Sequence, residues 1–224
     1  MTIIRPIEGL HLEQYLDLEY EMVQSVSEPT LFTWIVPPTV IYGRHQVREQ
    51  EVNEAFCASR GVRVVQRKSG GGCVYADKGN LMISFISPST HNQEVFDLFL
   101  AMLASTLNEL GYAAVTTAHN DVLVSDRKVA GTACYTVPTG TVLHACMLYE
   151  VDLEALEKAI TPSVEKLQKH AVLSVRQRVR NLRDIIDLGD IHAFRQAIEN
   201  TLSKSKICNL KQYANNLRFR RNIT

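Results

Sequence analysis

The sequence predicts an α+β domain with a mixed, largely antiparallel sheet and helices packed against it. Helical patterns stand between blocks of several strands, whereas a doubly wound parallel sheet would require strict alternation of the two. A Val-Pro-Thr-Gly turn at 137–140 joins two long β-rich runs as a hairpin. With 224 residues, 46% of them hydrophobic and 21% charged, the chain can bury a sizeable core and is typical of a globular enzyme.

The order of the elements follows from the spacing of the apolar residues. Near-helical spacing predicts an amphipathic first helix over 10–26, with acids on its other faces. Gly61 stands where a C-cap glycine belongs, at the end of a second helix. Strands are predicted over 31–36, 40–43, 62–66, 81–86, 113–116, 121–124, 128–135 and 141–151, and helices over 10–26, 48–60, 92–110 and from Asp152 onward.

Composition and charge disfavour several classes of partner. Lys plus Arg and Asp plus Glu both number 24, so the net charge of zero gives no reason to expect nucleic acid or a membrane surface. The N-terminus lacks the apolar core of a signal peptide, and no segment approaches a membrane span. The five cysteines are odd in number and show no metal-binding spacing, at positions 57, 73, 134, 146 and 208. We therefore expect a reduced, cytoplasmic chain.

The most informative stretch contains three consecutive glycines between two apolar runs: Gly70, Gly71 and Gly72. Glycine packs nothing in a sheet and costs entropy, so three in a row require a reason. One reason is a backbone whose N–H groups bind an anion such as phosphate at close range. The preceding residues would add two cations and a hydroxyl at the mouth of this cradle: Arg67, Lys68 and Ser69. The alternative is a hairpin turn in which glycine supplies only positive φ.

The common nucleotide-binding fingerprints are absent from this stretch. A P-loop needs a Gly-Lys-Ser/Thr ending, whereas Cys73 and Val74 follow the glycines here. The dinucleotide fingerprint needs a further glycine at the position of Tyr75. A phosphate cradle in this chain would therefore be a strand–turn–strand and not a strand–turn–helix.

A second informative stretch, residues 120–133, places Lys128 just before several small residues. On a strand, such a lysine can point into a pocket, where its ammonium holds both a phosphate oxygen and an attacking carboxylate. Asp121 and Asp126 supply hard oxygens that suit Mg²⁺. The alternative is a surface hairpin in which residues 126–128 form a solvated charged turn, and these residues alone do not decide between the two.

Further residues remain open between a structural and a chemical role. His144, on an apolar strand, is favoured as a hydrogen-bonded core residue over a catalyst. Cys134 and Cys146 are favoured as small buried side chains over nucleophiles of an acyl transfer. A group of arginines is favoured slightly as an exposed charged face over a site for phosphate or an acidic protein: Arg176, Arg178, Arg180 and Arg183.

Taken in chain order, these motifs resemble those of the lipoate–protein ligase A family, within the biotin/lipoate ligases. The resemblance spans about residues 40–185, and two of its motifs are highly specific. The matching segments are Gly43-Arg44-His45-Gln46, Glu51-Val52-Asn53, residues 67–80, Asn120-Asp121, residues 126–133, His144 and residues 174–182.

The resemblance implies the catalytic domain of a biotin/lipoate ligase and a two-step reaction. Lipoate and ATP, with Mg²⁺, would form lipoyl-AMP and pyrophosphate, and the acyl group would then pass to a lysine of a lipoyl carrier domain. The implied carriers are E2 subunits of 2-oxoacid dehydrogenases and the H protein of glycine cleavage. Lys128 would bridge phosphate and lipoyl carbonyl, and Asp121 would lie near the metal or the incoming lysine.

By the same resemblance, the binding residues form two overlapping groups. The nucleotide would contact Arg67, Ser69, Gly70, Gly71, Gly72, Cys73, Val74, Tyr75, Asn80 and Lys128. Lipoate would contact Arg67, Gly71, Gly72, Lys128, Gly131 and His144. Its apolar tail would lie in a tunnel lined by the sheet and the first helix.

Two departures from the family pattern accompany the resemblance. Cys73 replaces the alanine that usually follows the third glycine. We also expect one catalytic domain over residues 1–224, without the C-terminal accessory domain of many bacterial ligases. Adenylation would then need a separate accessory-domain protein, or transfer alone would remain.

Three alternatives differ in their chemistry. A lipoyl or octanoyl transferase would use a cysteine nucleophile in place of ATP. A non-catalytic module would bind lipoate or nucleotide without turnover. A biotin ligase is disfavoured, because the glycine- and arginine-rich loop of that family is absent.

Overall fold

The structure, a computed structural model, describes residues 1–117, 120–160 and 179–204. In this part of the chain the strands are β1 (Thr2–Ile4), β2 (Thr30–Trp34), β3 (Thr39–Tyr42), β4 (Arg63–Gln66), β5 (Val74–Ala76), β6 (Asn80–Ser87), β7 (Ala114–Thr116), β8 (Asp121–Val124), β9 (Arg127–Val137) and β10 (Gly140–Leu148). The helices are α1 (Leu12–Val23), α2 (Arg48–Glu51), α3 (Glu54–Arg60), α4 (Asn92–Glu109), α5 (Leu153–Ala159) and α6 (Ile191–Lys204).

The larger of two sheets has seven strands in the order β1-β2-β6-β10-β9-β8-β7. Its edge pair β1–β2 is parallel, and its other pairs are antiparallel. The predicted hairpin joins β9 to β10. An antiparallel sheet with helices grouped on its faces is an α+β arrangement, so the predicted fold class is confirmed.

A second sheet, in the order β4-β3-β5, corrects the predicted path of the glycine stretch. We predicted that strands over 62–66 and 81–86 flank the glycine turn directly. Instead, β4 pairs in parallel with one edge of β3, β5 pairs antiparallel with the other edge, and β6 lies in the large sheet. The glycine-rich segment between β4 and β5 therefore crosses the carboxyl end of β3.

Other differences from the prediction are local. The short strands β1 and β5 were not predicted. The helix predicted over 48–60 is divided into α2 and α3, because Val52 between them is extended and Asn53 caps the second helix. Gly61 ends α3 in the left-handed conformation, as predicted for a C-cap glycine.

Helices cover both faces of the large sheet. Phe85 and Phe99 belong to the core cluster under α4 and α6, with ring centroids 5.7 Å apart. Phe32 and Trp34 belong to the cluster under α1. Successive residues of β2 alternate between these two clusters, as the pleat of a strand requires. Within the described ranges, no helix combines the length and apolarity needed to cross a bilayer.

Helix α1 carries an acid on its buried face. Its fully buried positions recur at helical spacing: Leu12, Tyr15, Glu19 and Val23. We predicted acids only on the other faces, which is wrong at Glu19, because this side chain is completely buried. A buried carboxylate is costly unless it is hydrogen-bonded, so Glu19 marks a polar site inside the core.

Helix α6 is fixed to β2 by a buried charged cluster. Arg195 Nε donates to Thr33 Oγ1 at 2.7 Å and to Glu199 Oε1 at 3.0 Å. Glu199 Oε2 accepts from Arg5 Nη2 at 2.7 Å. Burial alone would raise the pKa of Glu199, but hydrogen bonds from Thr33, Arg5 and Arg195 outweigh burial and lower the pKa.

Replacing Glu199 by Gln should lower the free energy of unfolding by about 2 kcal/mol at pH 7, because the buried Arg195 guanidinium keeps its ion pair with Glu8 but loses the charge of Glu199. A lowered folded-state pKa stabilises the fold above the unfolded-state pKa of about 4.3, and this contribution is lost as pH falls through the folded-state pKa. Urea unfolding at pH 7 and at pH 3 should therefore show a difference in stability between E199Q and wild type that is smaller at pH 3.

Lys158→Gln, in an exposed ion pair, is the control and should change stability by less than about 0.5 kcal/mol. A difference between E199Q and wild type that is independent of pH would contradict this account.

Candidate active site

A cleft lies where α1, the small sheet and the large sheet meet. It offers about 580 Å³, counting the space at its mouth. One part of its wall is mainly apolar: Leu12, Leu16, Trp34, Ile41, Val74 and Met82. The other part is polar or exposes backbone: Arg67, Gly72, Cys73, Asn120, Lys128, Gly131, Thr132, Ala133, His144 and Cys146. A pocket therefore lies between the sheet and the first helix, where the sequence interpretation expected one.

Arg67 organises the glycine stretch from inside. Its side chain is buried, and Nη2 donates to the carbonyl oxygens of Gly70 at 2.8 Å and Gly72 at 2.7 Å. Nη1 donates to Ile41 O at 3.1 Å, and Nε donates to Ser69 Oγ at 3.1 Å. Burial lowers the pKa of Arg67. The guanidinium therefore fixes the loop in addition to lining the cleft, and its contact with nucleotide phosphate stays a prediction.

The glycines in and beside this loop differ in whether the protein itself requires them. Gly71 has φ +96°, a conformation that favours glycine. A Cβ on Gly43, at the end of β3, would lie 2.3 Å from Gly71 O, so the loop touches the backbone there. A Cβ on Gly70 or Gly72 would meet no protein atom within 4 Å. Protein packing therefore explains Gly43 and Gly71 but gives no reason for the other two.

Ser69 and His144 connect this loop to α1. Ser69 Oγ lies 2.8 Å from His144 Nε2, and His144 Nδ1 lies 3.3 Å from Glu19 Oε2. Ser84 Oγ donates to the other oxygen of Glu19 at 2.5 Å. The predicted hydrogen-bonded His144 is confirmed, since both ring nitrogens have partners, and the ring also borders the cleft.

Lys128 reaches the cleft through an irregularity in the sheet. Lys128 and Gly131 are three positions apart, which would put them on opposite faces of a regular strand. The register between β8 and β9 contains one extra residue, Val129, between the pairs Val122–Ala130 and Leu123–Lys128. Such a bulge reverses the alternation, so Lys128 shares a face with Gly131 and with Asp121, which is paired opposite Gly131.

The Lys128 ammonium forms an ion pair with Asp121, with Nζ 2.7 Å from Oδ1. A Cβ on Gly131 would lie 2.8 Å from Lys128 Nζ and Cε, so a larger residue there would displace the end of the lysine side chain from this position. Within the described residues, no well-aligned hydrogen bond reaches the buried Oδ1 of Asp121. Asp126 occupies the exposed turn between β8 and β9 at φ +60° and does not line the cleft.

Other predicted site residues lie away from the cleft. The Tyr75 side chain packs in the core cluster beneath α5, and only its backbone continues the glycine segment. The Asn80 side chain is used internally, accepting from Asp77 N at 2.8 Å and donating to Cys146 Sγ at 3.0 Å. Lys68 lies over the Tyr20 ring of α1, 4.0 Å from its centroid, and not at the mouth of a cradle.

The two candidate nucleophilic thiols differ in position. Cys146 lines the cleft, but burial raises its pKa to about 12. Burial also raises the pKa of Cys134, whose Sγ donates to Asn92 Oδ1 at 3.3 Å. At neutral pH both are thiols, the unreactive form.

The predicted arginine group is only partly described. Arg176 and Arg178, like most of the matching segment 174–182, lie outside the described residues. Arg180 N donates to Lys128 O at 3.0 Å, which connects this segment to the backbone of the lysine. Arg183 forms an ion pair with Glu150 and does not line the cleft.

Several residues of the site were missed by the sequence interpretation. The largest apolar wall residues, such as Trp34 and Met82, carried no signal that separates them from ordinary core. Asn120 was noted only as part of a motif, yet its Nδ2 donates to Thr132 O at 2.9 Å beside the lysine. Glu19 did carry a signal, because it falls in step with the apolar positions of α1.

Comparison with known proteins identifies relatives of this chain. The family model described as the lipoyl protein ligase A/B catalytic domain matches residues 6–203. A lipoate–protein ligase of Staphylococcus aureus is 31% identical over 187 residues, which are 82% of this chain and 57% of that protein. The chain spans about half the length of the curated relatives that it matches.

Solved structures agree with this comparison. A bi-partite lipoate protein ligase from Thermoplasma acidophilum matches with a TM-score of 0.76 at 27% identity, over 91% of this chain and 82% of that one. A lipoate-protein ligase A bound with ATP matches with a TM-score of 0.75 at 24% identity, over 91% and 83%, and shows the common fold. The ligase fold implied by the sequence motifs is confirmed. Because the family model matches nearly the whole chain, this protein belongs to the lipoyl protein ligase A/B catalytic-domain family.

Proposed function

We propose that this chain is the catalytic domain of an ATP-dependent lipoate–protein ligase. In the first step, a carboxylate oxygen of lipoate attacks the α-phosphorus of ATP, and pyrophosphate leaves. In the second step, the ε-amine of a carrier lysine attacks the acyl carbonyl, and AMP leaves. The observation that carries the proposal is a single cleft in which Lys128 and the glycine loop meet a mainly apolar wall.

The apolar part of the cleft suits the hydrocarbon tail and ring of lipoate. Leu12 and Leu16 of α1 line it together with Trp34, Ile41 and Met82, and all five belong to or pack against one apolar cluster. Apolar walls with a few convergent polar groups are the usual setting for small ligands. The carboxylate would then point toward Lys128, with Gly131 and His144 at the boundary between the two parts.

The glycine loop is proposed to hold the nucleotide phosphates. Gly70 and Gly72 leave the backbone open to close approach, and successive N–H groups bind anions. A ligase of the same fold binds ATP, which supports this assignment. Arg67, Ser69, Cys73 and Val74 would shape or line this part of the site. Tyr75 would contribute backbone alone, and Asn80 would support the fold behind it.

Lys128 is the proposed catalytic residue of both steps. Attack of a carboxylate on the α-phosphate brings two anions together, and a fixed ammonium between them lowers that barrier. Among the residues that the structure describes, the ammonium pairs with Asp121 and its side chain is about 30% exposed, so it can turn toward incoming anions. The same ammonium would polarise the acyl carbonyl for attack by the carrier amine.

Asp121 is proposed to hold Mg²⁺ or to orient the incoming lysine. Within the described residues, no group of three or more His, Cys, Asp or Glu side chains forms a metal site. One carboxylate is nevertheless compatible with Mg²⁺ chemistry at nucleotides, because this ion is commonly bound by one or two carboxylates, waters and the phosphates themselves. Bound with ATP, Mg²⁺ would neutralise phosphate charge.

The partners are proposed from chemistry and from relatives. The Thermoplasma acidophilum ligase was solved in a study of that ligase and its E2 lipoyl domain, and it is bi-partite. By analogy, the carriers of this chain would be lipoyl domains of E2 subunits and the H protein. We also propose that residues 1–224 form one catalytic domain that works with a separate accessory-domain protein. If the chain alone released pyrophosphate as fast as the chain with an accessory domain, the accessory protein would not be needed.

Pyrophosphate release tests the proposed reaction. The chain is mixed with ATP, Mg²⁺ and lipoate, with and without an accessory domain added in trans, and an apo lipoyl domain is then supplied. In the mixture that contains the accessory domain, we expect lipoate-dependent pyrophosphate release and a lipoyl mass increase on the carrier. A non-catalytic module would instead bind lipoate, changing the fluorescence of Trp34, the only tryptophan, without releasing pyrophosphate in either mixture.

Lys128→Met should reduce pyrophosphate release by about 10²–10³-fold, because one contact to transition-state charge is lost. Gly131→Ala should also reduce the rate, since the added methyl group occupies the path of the lysine. Both variants should keep circular dichroism spectra like that of wild type. Lys158→Met, on the exposed face of α5, is the matched control and should retain the wild-type rate. Unchanged turnover in Lys128→Met would remove the lysine from the mechanism.

Cys134→Ser and Cys146→Ser should leave carrier lipoylation within about twofold of wild type, because thiols with raised pKa values do not serve as nucleophiles at neutral pH. The measurement is the initial rate of carrier modification by mass spectrometry. Loss of modification in a folded variant, together with activity that needs no ATP, would establish the transferase alternative.

A further inference from the structure

A chain of buried hydrogen bonds connects the apolar wall of the cleft to the glycine loop. It contains six side chains, hereafter the Glu19 network: Trp34, Ser84, Glu19, His144, Ser69 and Arg67. Trp34 Nε1 donates to Ser84 Oγ at 2.8 Å, and Ser84 Oγ donates to Glu19. From the other end, Arg67 Nε donates to Ser69 Oγ, which contacts His144 Nε2, and His144 Nδ1 contacts Glu19.

The chemistry of the end groups favours one arrangement of the hydrogen bonds in this network. An indole N–H and a guanidinium can only donate, and the two oxygens of the Glu19 carboxyl group are placed to accept from Ser84 and His144. Ser69 Oγ accepts from Arg67, so its own hydrogen is free to point at His144 Nε2. The imidazole then carries its hydrogen on Nδ1 and donates it to Glu19. In this arrangement every donor has an acceptor.

The other protonation states of His144 each leave a conflict. With the hydrogen on Nε2 alone, the Nδ1 lone pair would face the Glu19 carboxylate without a hydrogen between them. With both nitrogens protonated, the Ser69 hydroxyl hydrogen would have no acceptor among the contacts of this network, although Ser69 is completely buried. A buried unsatisfied donor costs about 1–3 kcal/mol.

We propose that Glu19 is a positioning residue that sets the conformation of the glycine loop through His144. By fixing the Nδ1–H tautomer, it makes Ser69 a hydrogen-bond donor to His144 and leaves the Ser69 oxygen to accept from Arg67. The guanidinium held in this way donates to the carbonyls of Gly70 and Gly72. A residue on α1 thereby controls the part of the cleft assigned to the nucleotide.

The expected effect on catalysis rests on the proposed ligase function, whereas the expected Nδ1–H tautomer of His144 does not. ¹⁵N-detected NMR of the imidazole, assigned with His144→Gln, reports the tautomer directly. We expect Nδ1–H in wild type and a mixture of tautomers in Glu19→Gln. A wild-type ring that is protonated on Nε2 alone, or on both nitrogens, would overturn the proposal even if the ligase activity is present.

Steady-state kinetics distinguish a positioning role of Glu19 from a role in the apolar wall of the cleft. Glu19→Gln and Ser69→Ala should each raise the KM for ATP about tenfold, the effect of losing about 1.4 kcal/mol, with the KM for lipoate changed less than about twofold. The double variant should be no worse than either single one, because both break the same chain. Glu21→Gln, an exposed acid of the same helix, is the control and should match wild type.

Each outcome of these measurements decides the proposal. An effect of Glu19→Gln confined to the KM for lipoate, or additive effects in the double variant, would overturn it. If Glu19→Gln does not fold, Ser69→Ala and the wild-type tautomer still decide. If wild type releases no pyrophosphate, ATP affinity from calorimetry replaces KM, and only the ligase function fails.

Discussion

The site depends on a guanidinium buried inside a glycine loop. The segment between β4 and β5 has no strand or helix of its own to fix its backbone, and it turns across the end of β3. Arg67 supplies what regular structure would otherwise provide, since its donors are distributed over the carbonyls of Ile41, Gly70 and Gly72. Burying a charge is expensive unless hydrogen bonds replace its water. The carbonyl groups of the loop supply the hydrogen bonds that replace this water. The shape of the loop and the burial of the Arg67 charge therefore depend on each other.

Two unrelated elements must meet this loop for the cleft to exist. Gly43 allows the end of β3 to touch Gly71, which brings the small sheet under the loop. On the large sheet, the bulge at Val129 turns Lys128 toward the same space, and Gly131 gives its side chain room. Helix α1 closes the apolar side. Backbone contacts that exclude a Cβ therefore position the site as much as its polar side chains do.

A feature of the site could be predicted from the sequence when a short stretch of residues was enough to indicate it. The glycine run and the Lys128 strand stand out by composition, and Gly72, Lys128 and Gly131 line one cleft, whereas Gly70 and Gly71 are not part of its lining. Tyr75 and Asn80 were assigned by position, but the side on which a residue points after an irregular loop depends on a register that sequence alone does not supply. The same holds for the bulge at Val129. Glu19 was within reach of prediction, because an acid in step with an apolar helical stripe is a local conflict, and such conflicts mark functional or strained sites.

The two cations of the cleft have different tasks because they are held differently. Arg67 donates to several fixed acceptors and is buried, so reorientation toward a ligand would leave those carbonyls unpaired. In the described ranges Lys128 has one ionic partner, Asp121, and it keeps access to solvent; a partly exposed ion pair is worth at most about 1 kcal/mol. Exchange of Asp121 for an incoming anion is therefore inexpensive at Lys128 and costly at Arg67. For the proposed reaction, this difference assigns the shape of the loop to Arg67 and the stabilisation of developing negative charge to Lys128.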